Sequence, residues 1–169
     1  MRALILSEDG FEDTELLSPY YRLLEEGLKV DIASTRRKKI RGKHGYEVQA
    51  ELAFEEVDPK HHQLLVLPGG RAPEKIRLSE DAKRISQYFM VEGKLIGTIC
   101  HGVQTLISAG LVKNRRGTCF QGIQDDLDAA GCEVVDEEVV VDDNWISSRQ
   151  PSDIPAFNKK IIEKTNQMG

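Results

Sequence analysis

Short apolar runs alternate with amphipathic stretches along the whole chain. Arg2-Ala3-Leu4-Ile5-Leu6 and Leu28–Ala33 read as strands, each a compact apolar run bounded by polar residues. Between them Leu16, Tyr20, Leu23 and Leu24 recur at helical spacing on one face, and Gly27 stands where a helix would stop. Pro19 falls inside that stretch, which predicts either a kink or a second segment starting behind Ser18 as N-cap. Residues 44–54 alternate well enough for a strand or hairpin arm beside the main sheet. Leu64-Leu65-Val66-Leu67 is the cleanest buried strand, ended abruptly by Pro68-Gly69-Gly70. A helix over about 78–92 follows, with Ile85 and Phe89 inward and Gly93 as its stop.

The pattern continues with a strand at Lys94–Ile99, a short helix reaching Gly110, and a helix near 123–130. A valine-rich stretch over Glu133–Val141, a segment at Trp145–Ser148 and a closing helix near 153–165 complete it. Strands separated by helices imply right-handed crossovers and a mostly parallel sheet covered on both faces. Residues 1–169 therefore read as one α/β sandwich, with no internal repeat or linker.

Composition narrows the function classes. Twenty-three basic against 28 acidic residues leave a net charge of −5, which disfavours a general binder of nucleic acid or anionic membranes. No stretch approaches the roughly 18–20 apolar residues of a membrane span. Arg2 leads into only a few apolar residues before Ser7-Glu8-Asp9, unlike a signal peptide, so a cytoplasmic protein is expected. Three cysteines are an odd number, which argues against a disulfide framework and leaves room for a single working thiol.

In an open parallel sheet, ligands bind beyond the carboxyl ends of the strands. Three segments converge there: the loop Ser7–Asp13, the Pro68-Gly69-Gly70 turn and the turn at Cys100. Thr98-Ile99-Cys100-His101-Gly102 passes from strand to helix with small residues two before and two after the cysteine, the steric requirement of a nucleophile elbow. A helix N-terminus there would favour the thiolate, and His101 could take the thiol proton. The unblocked amides of Gly69 and Gly70, facing Cys100, would form an oxyanion hole. One carboxylate of the cluster Glu8, Asp9, Glu12, Asp13 and Glu15 could point inward and tune the thiol, the others being solvated; spacing does not single it out.

Other features carry less chemistry. Cys119 and Cys132 lack an activating setting. His61-His62 have no zinc-like spacing and read as a solvated loop, and Arg36-Arg37-Lys38-Lys39 as a charged connection between strands. Gly69-Gly70 does not extend to a phosphate-binding fingerprint, so no cofactor or metal is expected. No histidine follows position 101, which argues against a class I glutamine amidotransferase, whose triad histidine lies well downstream of its cysteine.

Leu65–Glu74, Ile99-Cys100-His101-Gly102 and Phe11-Glu12-Asp13 together resemble the PfpI-type intracellular protease family, of the class I glutamine amidotransferase-like fold. Lys43-His44-Gly45, Ile107–Gly110 and Asn144–Arg149 extend the resemblance over essentially the whole chain. It implies a flavodoxin-like three-layer sandwich with Cys100 as nucleophile, Glu12 as a protonated carboxyl bonded to the sulfur, and Gly70 as an oxyanion amide. It further implies a homo-oligomer, dimer to hexamer, in which Glu74 of a neighbouring subunit completes a Cys100-His101-Glu74 triad. Phe120 stands where the archaeal protease has a tyrosine, and Val103 replaces a common proline.

The function expected from the resemblance is a cysteine peptidase cutting peptides. The alternative is a cofactor-independent glyoxalase or protein deglycase acting on methylglyoxal or its adducts. A third reading is a redox or stress sensor with an oxidisable Cys100.

Overall fold

A computed structural model describes all 169 residues. Strands β1 (Arg2–Leu6), β2 (Lys29–Ser34), β5 (Leu52–Ala53), β6 (Leu64–Leu67), β7 (Leu95–Ile99), β10 (Val140–Asp142) and β11 (Trp145–Ser148) form one sheet. Their order is β10-β11-β7-β6-β1-β2-β5, parallel throughout except for β10 at one edge. Helices α1 (Asp13–Glu25) and α6 (Ile154–Met168) pack together, while α2 (Ala72–Ile76), α3 (Glu80–Val91) and α4 (Gln104–Ser108) form a second group, so the sheet lies between layers of helix. This is the mostly parallel three-layer sandwich of the flavodoxin-like type.

The central strands are apolar on both faces because both are covered: β6 and β7 are buried at every position. Trp145 is fully buried, and its indole N–H donates to the Thr98 hydroxyl at 3.0 Å, fixing β11 against β7 beneath the elbow.

Several expectations are corrected. Helix α1 runs unbroken through Pro19, which is buried with Leu23 beside Asn158 and Ile161 of α6. Packing against α6 and the Asn158-to-Ser18 hydrogen bond (3.0 Å) hold the helix where the missing N–H would otherwise break it. Leu24, placed by periodicity on the apolar face, is exposed. The helix expected over 78–92 is α3, with Ile85 and Phe89 buried and Ser79 as N-cap accepting from the Ala82 N–H; the short α2 before it was not expected.

The valine-rich stretch also divides. β9 (Glu133–Val134) pairs with β8 (Arg116–Gly117) in a small ribbon, α5 (Gln124–Ala129) lying between them in sequence, and β10 returns antiparallel to β11. Residues 44–54 contribute both β5 and β4 (Glu47–Ala50), which forms a hairpin with β3 (Lys38–Arg41). Lys38 is therefore not a solvated charge: it lies 2.6 Å from the buried Glu8. His62, expected in a solvated loop, is buried and bonded to Asp31 at 2.7 Å.

No helix is long and apolar enough to cross a membrane.

Candidate active site

Strand β7 ends in a sharp turn. Cys100 has φ of 60°, a left-handed conformation that costs a non-glycine residue on the order of 1–2 kcal/mol. Behind it Gly102 lies so close to the Leu67 carbonyl that a Cβ could not fit. The sequence-predicted elbow is thus present, strained at the residue that carries the sulfur.

The turn after β6 faces it. Gly70 bridges antiparallel to Phe11 of the β1–α1 loop, Glu12 N–H donates to Gly69 O (3.1 Å), and Arg71 N–H donates to Gly10 O (2.8 Å). This lacing holds the Gly70 amide beside Cys100, where it and the His101 amide work to lower the thiol pKa. Gly69 has no alternative: a Cβ there would stand 2.8 Å from Cys100 Cβ and 2.5 Å from Glu15 Oε1.

The inward carboxyl belongs to Glu15, not Glu12. Glu15 is fully buried in the first turn of α1, accepts the Gly69 N–H at 3.0 Å and lies close enough to Cys100 for each to shift the other's pKa. Glu12, at the helix N-cap, turns toward the hairpin loop instead. Its Oε2 lies 2.7 Å from Lys43 Nζ and 3.6 Å from His44 Nε2, and Thr14 donates to Oε1. Burial works to raise the Glu12 pKa, but the Lys43 ammonium outweighs it and holds the carboxyl below its ordinary value.

Asp13 explains why Lys43 reaches the site. Its buried carboxylate accepts the His44 and Tyr46 amides, both at 3.0 Å, and so pins the hairpin loop above the β1–α1 turn. Helical periodicity contains a signal for Glu15, which lies four residues before Pro19 on the buried face of α1. Lys43 had none, because a hairpin's docking is a long-range event.

Burial pushes the Glu15 carboxyl up to about 7, against the pull of the Gly69 amide. The Cys100 thiol is pushed up to about 12 by burial and by the Glu15 charge, the Gly70 and His101 amides acting the other way. The expected thiolate at a helix N-terminus is therefore not the resting form: Cys100 opens a short 3₁₀ turn and the five-residue α4, too little helix to offset burial. A protonated Glu15 removes the charge that opposes thiolate formation.

His101 Nδ1 stands 3.2 Å from Cys100 Sγ. Burial first, then the Lys43 charge, lower the imidazole pKa, with Glu74 opposing, so the ring is neutral near pH 7 and able to accept a proton. Phe120 stacks on it at 4.9 Å between centroids and 28° between planes. Glu74 lines the same cavity but stays beyond ion-pairing distance of His101 within one chain.

The cavity is about 440 Å³, lined by Glu12, Glu15, Lys43, Gly70, Arg71, Glu74, Cys100, His101, Phe120 and Pro151. Structure thus brings together Cys100, His101, Gly70, Glu12, Glu74 and Phe120, with Gly69 forming the wall behind Glu15; of the acidic cluster Glu12 and Glu15 reach the cavity while Glu8, Asp9 and Asp13 do not, and Lys43, Arg71 and Pro151 join it. No three His, Cys, Asp or Glu side chains converge as metal ligands. The arrangement can present a sulfur nucleophile, a neutral base, a carboxyl that titrates near neutrality and amides for a developing oxyanion.

A sequence profile described as the DJ-1/PfpI family matches residues 1–164. A protein named a deglycase from Pyrococcus abyssi is 55% identical over 163 residues, covering 96% of this chain and 98% of that one. The deglycase PfpI of Pyrococcus furiosus is 53% identical with the same coverage. Among solved structures, the DJ-1/ThiJ/PfpI-like and ferritin-like two-domain protein of Anabaena variabilis superposes with a TM-score of 0.96 at 35% identity, over 98% of this chain and 48% of that one.

Proposed function

The chain belongs to the DJ-1/PfpI family, and on that premise we propose that it is a Cys100-dependent deglycase that releases amines from methylglyoxal-type adducts and converts the dicarbonyl to a hydroxy acid. The observation that carries this reading is the pairing of Cys100 with a buried carboxyl whose pKa is pushed to about 7. Dicarbonyl chemistry needs a group that both takes and returns a proton near neutral pH.

The sulfur of Cys100 bonds to the carbinol carbon of the adduct as the C–N bond breaks. His101 accepts the thiol proton and passes it to the departing amine. The hemithioacetal so formed loses the proton on its former aldehyde carbon to Glu15, which returns it to the adjacent carbon, leaving a thioester. Water then attacks the thioester carbonyl, its oxygen held by the Gly70 amide, and frees the hydroxy acid and the thiol. Methylglyoxal itself enters the same sequence at the hemithioacetal and leaves as lactate.

Relatives named as deglycases favour this over the peptidase expectation. The decisive experiment measures lactate formed from methylglyoxal, and amine released from its adducts, by wild type and Cys100→Ala. Turnover lost with the thiol supports the reading; equal turnover in both proteins, or none in wild type, refutes it.

A further inference from the structure

Arg71 is the one cation of the cavity whose charge is not already used. Lys43 is tied to Glu12 at 2.7 Å. The Arg71 guanidinium makes no ion pair or hydrogen bond within the chain, although its residue follows directly on the oxyanion amide of Gly70 and lines the cavity. Glu74, one helical turn further on, lines the cavity too without closing an ion pair on Arg71.

The base of the side chain is nevertheless held. Arg71 N–H donates to Gly10 O at 2.8 Å, and the stem packs over Gly10, whose φ is +85°. A Cβ on Gly10 would lie 3.2 Å from Arg71 Cβ and 4.0 Å from Cδ, so a glycine at this position leaves the stem its path. An anchored backbone, a stem lying along Gly10 and an exposed, unpaired planar fork suit arginine to engage a carboxylate through two parallel hydrogen bonds.

We propose that Arg71 is a specificity-determining residue that binds a carboxylate on the substrate, so that the enzyme favours adducts formed on the α-amino group of amino acids over adducts on neutral amines. In such an adduct the carboxylate lies only three bonds from the carbon that Cys100 attacks, within one cavity of this size. The inference rests on the deglycase reading for its substrate but not for its anion site.

Two measurements separate the two. The first compares alkylation of Cys100 by iodoacetate and by iodoacetamide, reagents of similar shape that differ in charge, in wild type and Arg71→Gln. Each forms an S–CH2 bond as iodide leaves, and neither requires turnover. The expected result is a fall of about tenfold in the iodoacetate-to-iodoacetamide rate ratio, the scale of one charge-assisted hydrogen bond, with the iodoacetamide rate unchanged. An unchanged ratio overturns the anion site whatever the enzyme's reaction.

The second compares amine release from methylglyoxal adducts of glycine and of glycinamide. Wild type is expected to prefer the glycine adduct about tenfold, and Arg71→Gln to lose that preference, read as the ratio of the two rates in each protein. A wild-type enzyme without the preference overturns the substrate class. Wild type inactive on every adduct, with the alkylation ratio still dependent on Arg71, overturns the deglycase reading and the substrate class while sustaining the anion site.

Discussion

Glu15 and Cys100 occupy one buried pocket beside consecutive amides: Gly69 N–H donates to Glu15 Oε1 at 3.0 Å, and the Gly70 amide works to lower the Cys100 thiol pKa. The glycine pair is thus a shared scaffold that sets the separation of acid and nucleophile. Its approach is possible only because neither residue carries a side chain. The β1–α1 loop, laced to this turn through Phe11 and Gly10, makes the position of Glu15 depend on the same backbone.

Replacing Glu15 by Gln should lower lactate formation by about 10²–10⁴-fold, the range for loss of a positioned acid–base group. Glu12→Gln breaks a partly exposed ion pair with Lys43 and should cost less than about tenfold. Parallel rate measurements on the two variants check the assignment. Equal losses would place the proton carrier elsewhere.

Stability should depend on pH through Glu15 with a definite sign. Its folded pKa of about 7 lies above the ordinary 4.5, so the folded state binds more protons between those values. Stability is full below about 4.5 and falls as pH rises to about 7, by roughly 2–4 kcal/mol at 1.4 kcal/mol per pKa unit. Glu8 acts oppositely. Burial opposes its charge, but Lys38, Thr35, Ser34 and the Asp9 amide hold its pKa at about 2, so its contribution is present above 4.5 and lost as pH falls toward 2. Denaturant unfolding of wild type, Glu15→Gln and Glu8→Gln across this range should show each slope vanish in its own variant.

How much of this was readable beforehand follows from range. The runs 64–67 and 95–99 are apolar at nearly every position because both faces of those strands are covered, and an uninterrupted apolar run is the signature of that environment. The elbow was readable because small residues flank Cys100 locally. The choice between Glu12 and Glu15 was readable only in part: Glu15 shares the buried face of Leu16, Pro19 and Leu23, but Glu12 is the extended N-cap, and only tertiary packing turns it to the hairpin rather than the thiol. Pro19, Lys38 and His62 were misjudged for the same reason: each is accommodated by a partner from a distant segment, Asn158, Glu8 and Asp31 respectively. The reversal of β10 depends on a tight turn at Asp143, with φ of 53°, between Asp142 and Asn144.

Strain at the elbow makes a prediction about glycine. At φ of 60° a Cβ is disfavoured by about 1–2 kcal/mol, whereas glycine ordinarily loses about 0.5–1 kcal/mol to chain entropy. Cys100→Gly should therefore be at least as stable as Cys100→Ala, and both should be inactive. Thermal unfolding of the pair decides it, and a Gly variant melting several degrees below the Ala variant would mean that the turn is unstrained.

Phe120 and His101 supply the last test. The stacked ring at 4.9 Å both orients the imidazole toward Sγ and keeps water from it, and burial is the largest cause of the lowered His101 pKa. Phe120→Ala opens that face, so the imidazole pKa should rise toward its ordinary value, readable by NMR titration of the ring protons. A base with a higher pKa is protonated over more of the neutral range, so the acidic limb of the rate profile should move to higher pH by the same amount. Phe120→Tyr keeps the stack and should leave both values where they are. If alanine moved neither the titration nor the rate limb, desolvation by Phe120 would not be what keeps His101 neutral, and the Lys43 charge would have to account for it alone.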